Sequence, residues 1–107
     1  MNESNEPSAA ARSVPQRTVK VEFFGIPRRR AGVAETVVEL PASSVQFEEL
    51  LNRLAIAFPR FGRDCLEQNR LSRSLTANLD GKQFIRDPAA LIHAGQSVLI
   101  MSADAGG

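Results

Sequence analysis

The sequence ends in two glycines, Gly106 and Gly107, and this pair is its strongest candidate for chemistry. Glycine has no Cβ atom, so a glycine tail is thin and can adopt backbone conformations that are closed to other residues. Such a tail can carry its own carboxylate through a narrow channel into another protein's active site. The pair Gly106 and Gly107 is therefore what a terminal carboxylate needs if it is itself the reacting group, and the rest of the sequence has to decide whether it is. The alternative is an end without a role, because termini are often poorly ordered whatever their composition.

The sequence contains few residues whose side chains could catalyse a reaction. It contains one histidine, His93, and one cysteine, Cys65. These two cannot supply the four ligands of a structural zinc ion, so we expect no metal. The same shortage makes Ser-His-Asp or Cys-His catalysis a poor candidate. We expect Cys65 to be a small buried residue near a helix end and His93 to lie in a loop.

Length and charge exclude several classes of protein. The chain of 107 residues is long enough for one domain, and its net charge of +1 comes from 13 basic and 12 acidic residues. This near-balance argues against a nucleic-acid-binding protein, which usually carries a marked basic excess. No apolar run reaches the length that spans a bilayer, and residues 1–17 contain no apolar stretch of signal-peptide length. We expect a cytoplasmic protein that binds neither membranes nor nucleic acid.

Alternating apolar residues predict two strands in the first part of the domain. Residues 1–17 are polar and rich in Ser, Ala and Pro, and we expect them to be a disordered tail. The domain begins at "TVKVEFFG", where every second residue is apolar, and a second strand follows at "ETVVELP". The basic segment between them, "IPRRRAGVAE", is predicted to be a loop that joins the strands into an antiparallel hairpin.

One helix is predicted in the middle of the chain, within "ASSVQFEELLNRLAIAFP". Its apolar residues recur at spacings of three and four, which places them on one face of a helix that packs on the core. These residues are Phe47, Leu50, Leu51, Leu54 and Phe58. Ser43 and Gln46 have the spacing of a capping box at the start of the helix, and Pro59 ends it.

The second half of the chain is predicted to hold three more strands. "RFGRDCLEQNRLSR" suggests a short helical turn and a polar loop, and "SLTANLDGKQFI" suggests two strands joined at Asp80-Gly81. "DPAALIHAG" reads as a turn or a short 3₁₀ segment. The last strand, "QSVLIMSA", is apolar on both faces and is expected to lie centrally, beside the first strand. The fold class is therefore α+β: a mixed sheet of four to five strands with one main helix on one face, spanning residues 18–103. Residues 104–107 are expected to leave it as a flexible tail.

This order of elements resembles the β-grasp, or ubiquitin-like, fold. More narrowly, it resembles the MoaD/ThiS family of sulfur-carrier proteins. The resemblance covers residues 18–107 and is carried by six stretches in sequence: "VKVEFFG", "PRRRAG", "TVVELP", "LAIAFPRF", "ANLDGKQF" and "SVLIMSADAGG". The helix that runs into "FPRF" is more similar to the small subunit of molybdopterin synthase than to the shorter thiamin carrier.

The resemblance implies a function in which the chain carries sulfur and does not itself catalyse. An E1-like adenylating enzyme would use ATP to adenylate Gly107, and a sulfur donor enzyme would convert it to a thiocarboxylate. The chain would then act as the small subunit of a molybdopterin synthase-like complex, beside a larger catalytic subunit, in molybdenum cofactor biosynthesis. It would bind no cofactor of its own. Three alternatives stay open: a carrier for a thiamin thiazole, a tRNA base or an amino acid; a ubiquitin-like protein modifier; and an interaction module with an incidental end.

Two groups of residues are candidates for partner docking. Phe24, Leu99 and Met101 are expected to lie on the face of the sheet that points away from the helix, where an exposed apolar patch can bind a partner. The alternative is that residues 60–74 fold over this patch. The basic run Arg28, Arg29 and Arg30 is either a contact for an acidic partner surface or a solvated loop.

Overall fold

The structure is a computed structural model that describes residues 17–103. The predicted N-terminal tail up to residue 16, Gly106 and Gly107 lie outside the described residues. The nine strands are β1 (Thr18–Phe23), β2 (Glu35–Glu39), β3 (Ser44–Gln46), β4 (Leu66–Glu67), β5 (Arg70–Leu71), β6 (Leu75–Leu79), β7 (Gln83–Ile85), β8 (Leu91–His93) and β9 (Ser97–Ser102), counted within the described range. The helices of this range are α1 (Ile26–Ala31), α2 (Phe47–Ala57) and α3 (Pro59–Cys65).

Five of the strands form one mixed sheet in the order β2-β1-β9-β6-β7. The predicted hairpin is confirmed, because β1 and β2 pair antiparallel. The last strand is central, as predicted: β9 runs parallel to β1, with Ile100 opposite Phe23, and antiparallel to β6. The two strands beside the Asp80-Gly81 turn are also confirmed. Asp80 and Gly81 have positive φ values, 56° and 69°, and together with Lys82 they form the three-residue connection between β6 and β7.

Helix α2 covers one face of this sheet, and the predicted apolar stripe faces the core. Phe47, Leu50, Leu51 and Leu54 are buried, while Phe58 is partly exposed. They pack against the inward residues of the strands, among them Val19, Val21, Val98 and Ile100. Burying one such side chain stabilises the fold by about 1.5–3 kcal/mol. We call this side of the sheet the covered face.

The start of α2 differs from the prediction. Ser43 and Gln46 do not form a capping box; residues 44–46 form β3, and no side chain caps the helix. The first N–H groups of a helix need other partners, and here the backbone supplies them. Phe47 N donates to Ala90 O (2.8 Å) and Glu48 N donates to Pro88 O (2.9 Å).

The same contact explains a second correction, in the segment that carries His93. This segment was predicted to be a turn or a 3₁₀ segment, with His93 in a loop. Instead Leu91–His93 form β8, which pairs antiparallel with β3. The ladder forms because the chain before α2 offers unpaired backbone groups to a segment far along the sequence. Turns flank the strand: Ala89 N donates to Asp87 Oδ1 before it, and Gln96 N donates to His93 O after it.

The basic loop between β1 and β2 is also corrected, because it contains helix α1. Pro27 lies in the first turn of α1, where a missing N–H costs nothing. Gly32 ends the helix with φ 83°, and its N–H bonds Arg28 O at 2.8 Å. Pro near the start and Gly after the last turn are ordinary signals of helix ends. This helix could therefore have been predicted from the sequence.

Helix α3 confirms the predicted helical turn before the polar loop. Pro59 ends α2 and begins α3, so the two helices meet at Phe58. They cross closely: a Cβ atom on Gly62 would lie 2.7 Å from Ala55 Cβ. Cys65 is fully buried at the end of α3, as predicted. The loop that follows holds a two-stranded hairpin formed by β4 and β5.

Candidate docking face and tail exit

Strand β9 is the element that precedes the predicted reactive tail in the sequence. Ala103, the last described residue, donates its N–H to Ser74 O at 2.9 Å. On the other side lies Gly25, with φ 73°; a Cβ atom there would be 3.5 Å from Ser102 Oγ. The last residue of β9 is therefore held between the end of β1 and the start of β6. We call this end of the sheet the exit end.

Positive charge is concentrated around the exit end. Helix α1 begins directly after Gly25 and packs against β9, and its residues Arg28 and Arg29 are exposed. Arg30 is partly buried, with Nε 3.3 Å from Asp64 Oδ2; its N–H is not directed at that oxygen, so the contact is an ion pair without a hydrogen bond. On the β6 side, a depression of about 580 Å³ is lined by Glu67, Gln68, Arg70, Leu71, Arg73 and Arg86.

The face of the sheet that points away from α2 is uncovered in the described structure. Residues 60–74 do not fold over it: their apolar members Phe61, Cys65 and Leu71 belong to the core on the covered face. We call the opposite side the open face. Phe24 is 55% exposed at its edge, and its N–H donates to Ile100 O at 3.0 Å, which places it next to Met101.

Three of the predicted docking residues are thus close together. Leu99 and Met101 lie on the open face of β9 and are partly exposed, and Phe24 lies beside them. The structure places Arg28, Arg29 and Arg30 on α1 at the adjoining exit end, instead of in a loop. Their role in docking stays a prediction.

Sequence reasoning missed Phe84 on the open face. In β7, Phe84 lies opposite Asn78, and Asn78 lies opposite Leu99 in β9. Phe84 is therefore in line with Leu99, two strands away, and it is 59% exposed. The alternation "QFI", with Ile85 buried, was the signal that could have placed Phe84 outward.

The remaining candidates for side-chain chemistry are separate from this region or inert. His93 is exposed in β8, outside the five-stranded sheet. Burial raises the pKa of the Cys65 thiol from 9.0 to about 11; the charge of Asp64 adds to this and the charge of Arg30 opposes it. A thiol with a raised pKa is almost wholly protonated at neutral pH and is a weak nucleophile.

The described residues contain neither a metal-binding cluster nor a membrane-spanning helix. Within residues 17–103, no three His, Cys, Asp or Glu side chains come together as a set that could hold a metal ion. None of the helices in this range has the length and apolar character needed to cross a membrane.

The fold is similar to that of several solved proteins. Small archaeal modifier protein 1 from Haloferax volcanii superposes with a TM-score of 0.69 at 16% identity, over 84% of this chain and 99% of that one. A putative molybdopterin converting factor subunit 1 from Pyrococcus furiosus gives 0.65 at 19% identity, over 80% and 97%. A chain of the BexX/CysO complex from Amycolatopsis orientalis gives 0.61 at 21% identity, over 83% and 99%.

These similarities show the fold. No family model matches the sequence, and no curated protein matches it. At identities this low, shared backbone geometry does not establish a shared activity. The chain has the α+β, β-grasp fold of ubiquitin-like proteins, as the sequence predicted.

Proposed function

We propose that this chain is a sulfur carrier of the MoaD/ThiS type, with the carboxylate of Gly107 as its reacting group. The observation that carries the proposal is the position of β9. This strand is central in a β-grasp sheet and ends beside an exposed apolar surface, and the segment with Gly106 and Gly107 follows it in the sequence. Similarity to a molybdopterin converting factor subunit and to a chain of the BexX/CysO complex supports it.

The proposed chemistry activates a group that is otherwise unreactive. A carboxylate is a poor electrophile because its charge is delocalised. In the first step, the Gly107 carboxylate attacks the α-phosphorus of ATP on an adenylating enzyme, and pyrophosphate leaves. In the second, sulfur from a donor enzyme's persulfide attacks the carbonyl carbon and AMP leaves. A thiol then attacks the donor enzyme's sulfur in the resulting acyl disulfide and forms a disulfide with it, and the thiocarboxylate leaves with the electron pair and remains on Gly107.

This chain needs no catalytic side chain for that sequence of steps. Its partners supply the acids, bases and ATP site, while the chain supplies the tail and a surface that positions it. The inert Cys65 and the distant His93 are consistent with such a division. A tail of small residues loses conformational entropy when it docks, so affinity has to come from the folded body.

The open face is the surface that we assign to docking. Its apolar residues include Phe24, Val37, Phe84, Leu99 and Met101, and Phe24, Val37 and Phe84 are more than half exposed. Exposed apolar patches of this kind mark interaction sites. Arg28 and Arg29, exposed on α1, would contact acidic groups of the same partner. The partners would be an E1-like adenylating enzyme and a larger catalytic subunit, bound in turn through the same face.

The proposed acceptor is a molybdopterin precursor, which makes the chain the small subunit of a molybdopterin synthase-like complex. Carriers for a thiamin thiazole, a tRNA base or an amino acid would use the same activated tail. A second function, protein modification, is favoured by the similarity to small archaeal modifier protein 1. In that case a lysine amine of a target protein would attack the activated carbonyl and form an isopeptide bond.

The proposal is tested by ATP–pyrophosphate exchange with an adenylating enzyme from the same cells. The intact mass of the isolated protein first establishes that Gly107 is its carboxyl end. We expect exchange with the wild-type chain and none with a variant that lacks Gly106 and Gly107. A variant with one alanine added after Gly107 keeps both glycines, moves the carboxylate and should also be inactive. Exchange that persists without the glycine pair would overturn the proposal. Conjugates on lysines of other proteins would point to the modifier function.

A further inference from the structure

Lysine and arginine occupy different ends of this molecule. Of the 13 basic residues in the sequence, two are lysines, Lys20 and Lys82. Lys20 lies opposite Ser97, the first residue of β9. Lys82 lies in the turn between β6 and β7, where its N–H donates to Leu79 O at 2.9 Å. Leu79 in turn lies opposite Val98. Both lysines are therefore at the end of the sheet where β9 begins.

The cations at the exit end are arginines. Arg73 directly precedes Ser74, whose carbonyl accepts the N–H of Ala103. The side chain of Arg86 lies beside Arg73, because Arg86 Nη2 donates to the carbonyl oxygens of Leu75 and Arg73. Leu75 lies opposite Ser102. Arg28 and Arg29 flank the other side on α1. Arginines thus lie on both sides of the end of β9.

The two kinds of cation differ in reactivity toward an activated acyl group. A guanidinium stays protonated at every working pH, and its nitrogens donate hydrogen bonds without offering a lone pair. A lysine ammonium loses its proton more readily, and about 0.4% is free amine at pH 8. A free amine beside an acyl adenylate or thioester attacks the carbonyl carbon. The bond to AMP or thiol breaks, the leaving group takes the electron pair, and the amine releases a proton to solvent.

We propose that the exit end carries its positive charge on arginine because a lysine there would capture the activated carboxyl group of Gly107 within the same molecule. The inference rests on the proposed function. It assigns a second property, beside charge, to four arginines: Arg73, Arg86, Arg28 and Arg29. They can bind an anionic partner surface, and they do not react with the activated carboxyl group.

The length of the tail explains why Lys20 and Lys82 are tolerated. Residues 103–107 extend at most about 17 Å beyond Ser102. The level of Ser97 and Lys20 lies about 17 Å back along β9, at ~3.3 Å per residue. The tail approaches the Lys20 amine, which lies 3.8 Å from Glu22 Oε2, only when it reverses direction and runs back along β9, and effective concentration falls towards the limit of a linker's reach. Lys82 is displaced by two strand spacings as well. Position 73, in contrast, lies beside the start of the tail.

The test uses a thioester at Gly107 made chemically, so it needs no activating enzyme. Residues 1–107 are produced as an intein fusion with an acetylated N-terminus and released with 2-mercaptoethanesulfonate. The variants Arg73→Lys and Arg86→Lys keep the charge and add an amine at the exit end. Gln83→Lys adds an amine at the other end, beside Lys82, and is the matched control. Each thioester is left at mildly alkaline pH, and products are identified by intact mass and peptide mapping.

We expect Arg73→Lys or Arg86→Lys to form an internal amide, one water lighter than the hydrolysed acid. Its yield should exceed that at Lys20, Lys82 or position 83 by at least about ten-fold, because effective concentration falls steeply with distance. The wild-type thioester should mainly hydrolyse. Hydrolysis alone in both exit-end variants, with circular dichroism showing that they are folded, would overturn the inference. Equally fast capture by Lys20 or Lys82 in the wild type would also overturn it. Either result leaves the sulfur-carrier proposal standing, since that depends on ATP-dependent activation.

Discussion

Phe23 and Phe24 are neighbours in the sequence and have opposite environments. Phe23 is 3% exposed and packs on the covered face against Phe58 and Phe61, with ring centroids 5.8 and 5.3 Å away. Phe24 is 55% exposed at the edge of the open face. The same alternation separates Ile100 from Leu99 and Ile85 from Phe84. The covered face accounts for the stability of the fold, while the open face keeps large apolar side chains in solvent, where stability does not require them.

The largest expected effect comes from exchanging the two phenylalanines for alanine one at a time. Phe23→Ala should lower the free energy of unfolding by about 3–5 kcal/mol, because it removes a buried ring and leaves a cavity. Phe24→Ala should cost less than about 1 kcal/mol, since its ring is already largely solvated. Urea unfolding followed by far-UV circular dichroism measures both. Equal losses would show that the open face is part of the core.

The second prediction concerns the exclusion of water from the Cys65 side chain on the covered side. The thiol has a pKa of about 11 when folded and 9.0 when unfolded. Above pH 9 the unfolded chain loses its proton first, so stability should fall as pH rises from 9 towards 11. Two pK units correspond to about 2–3 kcal/mol. Below pH 9 the thiol stays protonated in both states, so its ionisation should add no pH dependence to stability.

The control for this prediction is Cys65→Ala, which removes the titrating group. It should lower stability at every pH but flatten the decline above pH 9. The sequence contains no tyrosine, so few other groups titrate in this range. Parallel pH profiles for the wild type and the variant would mean that Cys65 is accessible to water.

The third prediction tests the close crossing of α2 and α3 that completes the covered side. Gly62→Ala should cost about 1–3 kcal/mol, because the new methyl group would lie 2.7 Å from Ala55 Cβ. Ala55→Gly removes that clash, so the double variant Gly62→Ala/Ala55→Gly should recover part of the loss. The coupling between the two sites is read from a double-mutant cycle of unfolding free energies. Strict additivity would contradict the packing described here.

The smallest effect on stability, and the one that matters for binding, is expected on the open face. Phe24→Glu and Phe84→Glu should change the unfolding free energy by less than about 1 kcal/mol. Each should weaken binding to the adenylating enzyme by about ten-fold or more, which is ~1.4 kcal/mol. The matched control is Ile56→Glu on α2, since Ile56 is 74% exposed and lies away from the open face. Binding is measured by titration calorimetry. Equal weakening by Ile56→Glu, or unfolding of the Phe24 variant, would refute docking through this face.

Local patterns in the sequence predicted the parts of the fold that depend on periodicity. The alternation around Val19 and Val21 and the stripe through Leu50 and Leu54 identify their own strand and helix, because one face of each is buried. The central position of β9 followed from apolar residues on both its faces. Together these features were enough for the fold class.

The prediction failed where structure depends on partners far away in sequence. Strands β3 and β8 each have three residues, and their pairing brings Val45 opposite Ile92. Neither segment has a periodic pattern long enough to recognise, and the ladder took the place of the capping box at Ser43. The open face could be expected from Phe24, Leu99 and Met101; the alternation of Phe84 with Ile85 indicates that Phe84 faces outward, but only the strand register aligns it with Leu99. The exit end, with Arg73 and Arg86 beside Ala103, depends on tertiary structure alone.

The central claim is that Gly107 accepts sulfur, and thiol labelling of the Cys65→Ala protein tests it most directly. The protein is incubated with a cognate adenylating enzyme, ATP and a sulfur donor, and then treated with a thiol-specific reagent. Peptide mass spectrometry locates the label, which separates a thiocarboxylate from oxidation of Met1 or Met101. We predict a label on Gly107 that is absent when ATP is left out. An unlabelled Gly107, with an enzyme shown to be active, would contradict the account.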